Sequence, residues 1–96
     1  HYLNPVIAIL QQATQLAPTD PKLYYNISRI LVIQNKNQLA EKYLRKTIQL
    51  KPNYETARLR LAQLYHRENK DKLARRQLEF IIQRINPDSS AAAKLL

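Results

Sequence analysis

Residues 35–40 read NKNQLA and residues 69–74 read NKDKLA, one phrase 34 positions apart in a chain of 96 residues. Its polar start and Leu-Ala end describe a turn and then the opening of a helix, and its return means that a structural unit is repeated. On either side, apolar residues fall three and four apart. Before it come Tyr24, Ile27, Ile30 and Leu31; after it come Leu39, Ala40, Tyr43, Leu44, Thr47 and Ile48. That spacing is one face of an α-helix, so the phrase joins a helix over 21–34 to one ending at Leu50. The second copy joins 54–68, with Ala57, Leu61, Leu64 and Tyr65 on its stripe, to 71–85, with Leu73, Ala74, Leu78, Ile81 and Ile82.

Prolines mark the outer limits. Asn4-Pro5 and Asp20-Pro21 each read as an N-cap with proline next to it in the first turn, where no amide hydrogen is needed. A first helix then spans 4–16, with Val6, Ile7, Leu10, Ala13 and Leu16 on its stripe, and ends because Pro18 forces Ala17 out of helical geometry. Pro52 closes the third helix in the same way, and a last short helix begins after Asp88. With zero glycine there is no glycine-based hairpin turn, and no stretch alternates long enough for a strand. Connections this short make neighbouring helices antiparallel.

Laying 18–51 over 52–85 gives eight identities: Pro18/Pro52, Asn35/Asn69, Lys36/Lys70, Leu39/Leu73, Ala40/Ala74, Leu44/Leu78, Ile48/Ile82 and Gln49/Gln83. Chance supplies about two to three in such a composition. A helix–turn–helix unit of this length resembles the tetratricopeptide repeat. In LYYNIS at 23–28, Tyr24 stands in the family's large aromatic place, Ile27 in its leucine place and Ser28 in its small one; Leu31, Ala40, Leu44, Thr47 and Pro52 come after at the family's spacing. Leu61, Ala62, Tyr65, Ala74 and Leu78 keep the pattern in the next unit, where Arg58 replaces the aromatic, Ile81 the small residue, and the closing Pro87 comes 35 rather than 34 positions after Pro52.

The resemblance implies an all-α, right-handed superhelix of antiparallel helix pairs: a half repeat over 1–18, repeats over 19–52 and 53–87, and a terminal capping or truncated helix over 88–96, all one domain fragment. It also gives the opening phrase its chemistry. The family usually has glycine between its helices, and asparagine is the commonest substitute at positive φ, so Asn35 and Asn69 are expected to supply the turns. Asn37 and Asp71 are expected to cap the second helix of each pair.

Composition narrows function. Sixteen Lys and Arg against seven Asp and Glu leave a net charge of +9, spread over both halves, which favours acidic partners. Zero cysteine excludes disulfides and thiolate metal sites and leaves the cellular compartment unread. The apolar runs are too short to span a membrane, HYLNP is no signal peptide, and a start on His1 reads as a segment of a longer protein. His1 and His66 are the only histidines and are not at ligand spacing, and no glycine-rich phosphate loop exists, so neither catalysis, cofactor nor metal is expected.

A protein-interaction scaffold is therefore expected. The family's concave groove, lined by the first helix of each pair, implies as peptide-binding residues Lys22, Tyr25, Asn26 and Arg29 in one repeat and Thr56, Leu59, Arg60, Gln63 and Arg67 in the next. The expected ligand is a protein or peptide segment, acidic or carboxylate-bearing. Some relatives clamp a terminal carboxylate with Lys, Asn and Arg; Asn26 and Arg60 match, but Thr56 holds the lysine place, so the clamp is incomplete. Lys42, Arg45, Lys46, Arg75 and Arg76 fall at outward places and are read as solvating the convex surface. The alternatives are a basic RNA-binding helical repeat and a regulatory appendage of a larger enzyme. Scattered charge argues against specific nucleic-acid binding, leaving weak, salt-sensitive contact. Uncovered end helices would allow self-association.

Overall fold

A computed structural model describes residues 5–96 and the backbone of Asn4; His1 and the Asn4 side chain, offered above as a possible cap, lie outside the described residues. The described chain is helical without a strand. Its elements are α1 (Asn4–Leu16), α2 (Pro21–Ile33), α3 (Asn37–Leu50), α4 (Glu55–Arg67), α5 (Asp71–Phe80), a π-helical turn (Ile81–Ile85) and α6 (Ser90–Leu95). They form two compact units, His1–Lys51 and Pro52–Leu96.

In the first unit α2 packs against both α1 and α3. Ile27, Ser28, Leu31, Ala40, Leu44 and Thr47 are buried, so most residues matched to the repeat pattern leave water, whereas Tyr24 is half-buried and Pro52 exposed. Two of the small places are polar and cost little, because each hydroxyl bonds back along its own helix. Ser28 Oγ donates to Tyr25 O at 2.6 Å and Thr47 Oγ1 to Tyr43 O at 2.8 Å. The outer helix is less well covered. Ile7, Leu10 and Ala13 are half-buried, but Val6 and Ile9 are exposed and Leu16 is 90% exposed, so the stripe read for α1 is only partly a core face.

In the second unit α4 packs on α5, and the π turn and α6 pack against both. Leu61, Leu64, Tyr65, Leu78 and Ile81 form its core, with Ala92 of α6 fully buried. Ser89 ties α6 down. Its Oγ donates to Glu55 Oε2 at 2.9 Å and accepts from Ala92 N at 3.2 Å, capping the helix and bonding it to the start of α4.

Both interhelix turns have the backbone that the repeated phrase predicts. Asn35 and Asn69 are the positive-φ residues among those described, at 59° and 62°. Asn35 N donates to Val32 O at 3.0 Å and Lys36 N to Leu31 O at 2.9 Å; Asn69 N donates to His66 O at 3.0 Å and Lys70 N to Tyr65 O at 2.8 Å. These are two copies of one Schellman closure, which satisfies carbonyls that a helix end otherwise leaves open. The caps expected at Asn37 and Asp71 are not made. Lys36 and Lys70 occupy the cap positions without a side-chain bond, which makes Asn37 and Asp71 the first helical residues. Asn37 Oδ1 is buried without a hydrogen bond, and Asp71 instead faces His66 Nδ1 at 3.2 Å. Asp20 does cap, accepting from Lys22 N at 3.0 Å ahead of Pro21.

The single helix expected over 71–85 divides at Ile81. Lys51 N bonds to Thr47 O, four residues back, whereas Asn86 N bonds to Ile81 O, five back. The turn that ends the second helix of this pair holds one extra residue, a π turn, and this places Pro87 35 positions after Pro52. It begins where Ile81 replaces Thr47.

The large aromatic place also differs between units. In the first, Tyr24 O–H donates to Pro18 O at 2.9 Å, its ring lies 6.3 Å from that of Tyr43, and Lys46 Nζ stands 5.9 Å over it. In the second, Arg58 Nε donates to Pro52 O at 2.8 Å, Nη1 to Gln77 Oε1 at 2.8 Å, and Cζ lies 3.5 Å from the Phe80 centroid. Each partner lies 34 positions from its counterpart. The cation and the ring have exchanged places while the bond to the proline carbonyl is kept. Burial lowers the Arg58 guanidinium pKa.

Candidate interaction surface

A residue on a helix shares its face with those four and seven positions on. On α2 this places Lys22, Asn26 and Arg29 along one exposed line. Tyr25, expected from the sequence to join them, is only 8% exposed and belongs to the core of the first unit. One residue of the helix is a rotation of about 100°, enough to turn Tyr25 from the exposed line into the packed face.

The α2 line continues to a residue absent from the sequence-based set. Ile33 lies four positions after Arg29 and is 71% exposed. Its signal was available: an apolar residue in register with a polar stripe, on the last turn of the helix.

On α4 the corresponding line is Thr56, Arg60, Gln63 and Arg67, with Leu59 beside it. Thr56, Arg60 and Arg67 are exposed, while Gln63 and Leu59 are half-buried. Each line thus carries two cations, Lys22 and Arg29 or Arg60 and Arg67. None of the four makes an ion pair among the described residues, and neither line contains a carboxylate. Asn26 likewise makes no side-chain hydrogen bond among the described residues. Unpaired cations with exposed amide or hydroxyl neighbours are equipped to receive carboxylates.

Residues 31–96 match the family model described as tetratricopeptide repeat, well over half of the chain. The chain belongs to the tetratricopeptide repeat family. No curated protein is similar enough to count as a match. Tetratricopeptide repeats generally mediate protein–protein interaction and are generally non-catalytic modules, so a protein partner is the coarse functional assignment. Among the described residues no group of three or more His, Cys, Asp or Glu could hold a metal ion, and no helix is long and apolar enough to cross a membrane.

Proposed function

We propose that this tetratricopeptide repeat chain is a non-catalytic interaction module that binds acidic, carboxylate-bearing peptide segments of another protein on its exposed first-helix lines, that of α2 in the first unit and that of α4 in the second, each taken by itself. The observation that carries the reading is that four cations, Lys22, Arg29, Arg60 and Arg67, make no ion pair among the described residues and stand on first-helix lines that hold no acid. Arg29 and Arg60 offer planar, bidentate donors, and Asn26 adds an amide that can both donate and accept. Ile33 extends the preference to an apolar residue beside the acidic run.

The test is fluorescence anisotropy with a labelled peptide of four glutamates and a final leucine bearing a free carboxylate. Arg29→Glu/Arg60→Glu is expected to lower its affinity at least about tenfold, since each reversal replaces attraction by repulsion. Undiminished binding overturns the reading. A single-stranded RNA oligomer run in parallel is expected to bind weakly and to be released as salt rises; tight, sequence-selective RNA binding would replace the proposal. The exposed Val6, Ile9 and Leu16 of α1 further support weak self-association at high concentration, which a strictly monomeric light-scattering profile would remove.

A further inference from the structure

The exchange of cation and ring between the two units has a consequence on the side of α2 away from Lys22, Asn26 and Arg29. In the second unit the guanidinium of Arg58 lies directly against Phe80, 3.5 Å from its centroid, and is held by two hydrogen bonds. Ring and cation satisfy each other there. In the first unit the corresponding groups are looser. Lys46 stands 5.9 Å from the Tyr24 ring, and a hollow of about 510 Å³ opens among Tyr24, Tyr43 and the α3 side chains, within the range of small-ligand sites.

The chemistry of this hollow is specific. Its aromatic part is the pair Tyr24 and Tyr43, tilted 31° with centroids 6.3 Å apart. The Tyr24 hydroxyl is used by Pro18 O, whereas the Tyr43 oxygen accepts from Gln11 Nε2 at 3.4 Å and keeps its own hydrogen to donate. Three cations line the hollow. Arg45 is paired with Glu41 at 2.9 Å, while Lys42 and Lys46 have no carboxylate partner among the described residues. The hollow therefore offers aromatic faces, a phenolic donor and two uncompensated ammonium groups together. An apolar group alone leaves the lysines unanswered, and a carboxylate alone leaves the rings uncovered.

We propose that this hollow is a second docking site, taking an aromatic side chain flanked by carboxylates on an acidic segment of a partner protein. The ligand ring packs against Tyr24 and Tyr43 beneath Lys46, and the flanking carboxylates meet Lys42, Lys46 and the Tyr43 hydroxyl. In the second unit the corresponding groups are engaged with each other, Arg58 against Phe80 and bonded to Pro52 O and Gln77 Oε1. Lys42 and Lys46 thereby acquire a role beyond solvation.

The probe is a labelled Glu-Glu-Trp-Glu-Glu peptide, with Glu-Glu-Ala-Glu-Glu and Gln-Gln-Trp-Gln-Gln as its two controls. Lys42→Glu/Lys46→Glu is expected to weaken its binding at least about tenfold. Arg75→Glu/Arg76→Glu, an equal change of charge in the second unit, and Arg29→Glu/Arg60→Glu are each expected to change it less than about threefold. Both control peptides are expected to bind at least about fivefold more weakly than the probe. The proposal is overturned if all three charge reversals weaken binding equally, if the alanine peptide binds as well as the tryptophan peptide, or if binding does not saturate by about 1 mM. Circular dichroism of each variant checks that the helices are retained, and the milder Lys46→Gln, expected to lose about threefold, repeats the test without a new charge. Because Arg29 and Arg60 serve the first-helix site alone, failure here and failure of that reading are separate results.

Discussion

The two units fill their largest position in opposite ways. Around Tyr24 the ring belongs to the first helix of the pair and the cation, Lys46, to the second; around Arg58 the cation is on the first helix and the ring, Phe80, on the second. The requirement common to both is a donor that reaches the carbonyl of the preceding proline. Tyr24 O–H and Arg58 Nε meet it at 2.9 and 2.8 Å. The position thus selects for a flat, extended side chain carrying a donor rather than for aromaticity, and an arginine whose stem packs and whose head stacks is a workable substitute. Tightness is what differs. The arginine arrangement closes on itself, while the tyrosine arrangement leaves an open hollow.

The strongest test of that comparison is Arg58→Ala, expected to destabilise the second unit by about 2–3 kcal/mol in urea unfolding. The substitution strips Pro52 O and Gln77 of their donor and uncovers Phe80. Pairing Arg58→Tyr with Phe80→Lys transplants the first unit's arrangement and is expected to recover most of the loss. A double variant no more stable than Arg58→Tyr alone would show that the two positions are not interchangeable partners.

Next in size is overpacking at the helix crossings. Ala40 is fully buried and Ala74 nearly so. Leucine at either place is expected to cost about 1–3 kcal/mol, with Ala40→Leu the more severe. The reverse order in thermal unfolding would mean that the second unit packs more tightly at its crossing.

A smaller effect is expected at the turns, where the units agree. Asn35→Ala and Asn69→Ala are each expected to cost about 1 kcal/mol, since alanine resists φ near 60°, while glycine at either site is neutral or better. Unequal losses at the two sites would break the equivalence of the turns. Smallest are the helix starts. Asp20→Ala is expected to cost about 1 kcal/mol, whereas Asn37→Ala and Asp71→Ala are expected to stay within about 0.5 kcal/mol, because neither caps. A full cap-sized loss at Asn37 in denaturant titration would reinstate it as a capping residue.

Much of the fold was legible from residues close together in sequence. Asn35 and Asn69 announce their turns because a left-handed backbone is a local preference. The sequence placed Pro87 one position late but read 71–85 as a single helix, since a π turn depends on which carbonyl an amide finds. The caps at Asn37 and Asp71 were misread by one position: the Schellman closure is so short that the lysine between turn and helix already fills the cap place. Of the proposed interaction surface, the helical register of Lys22, Asn26 and Arg29 and of Thr56, Arg60, Gln63 and Arg67 was legible. Tyr25 was expected on this surface but its helix face turns it into the core, and Ile33 was passed over because its residue type favours burial while its helix face exposes it.

The sequence by itself determined the 34-residue period, the helix pairs and their turns, because these arise from backbone preferences and from apolar spacing within a few residues. Only the tertiary structure decided that Arg58 meets Phe80 and Gln77, that Tyr25 is covered, and that a hollow opens beside Tyr24 and Tyr43. Those outcomes hang on how far each helix is turned about its own axis against its neighbour, a rotation in which a single residue counts for about 100° and no local preference votes.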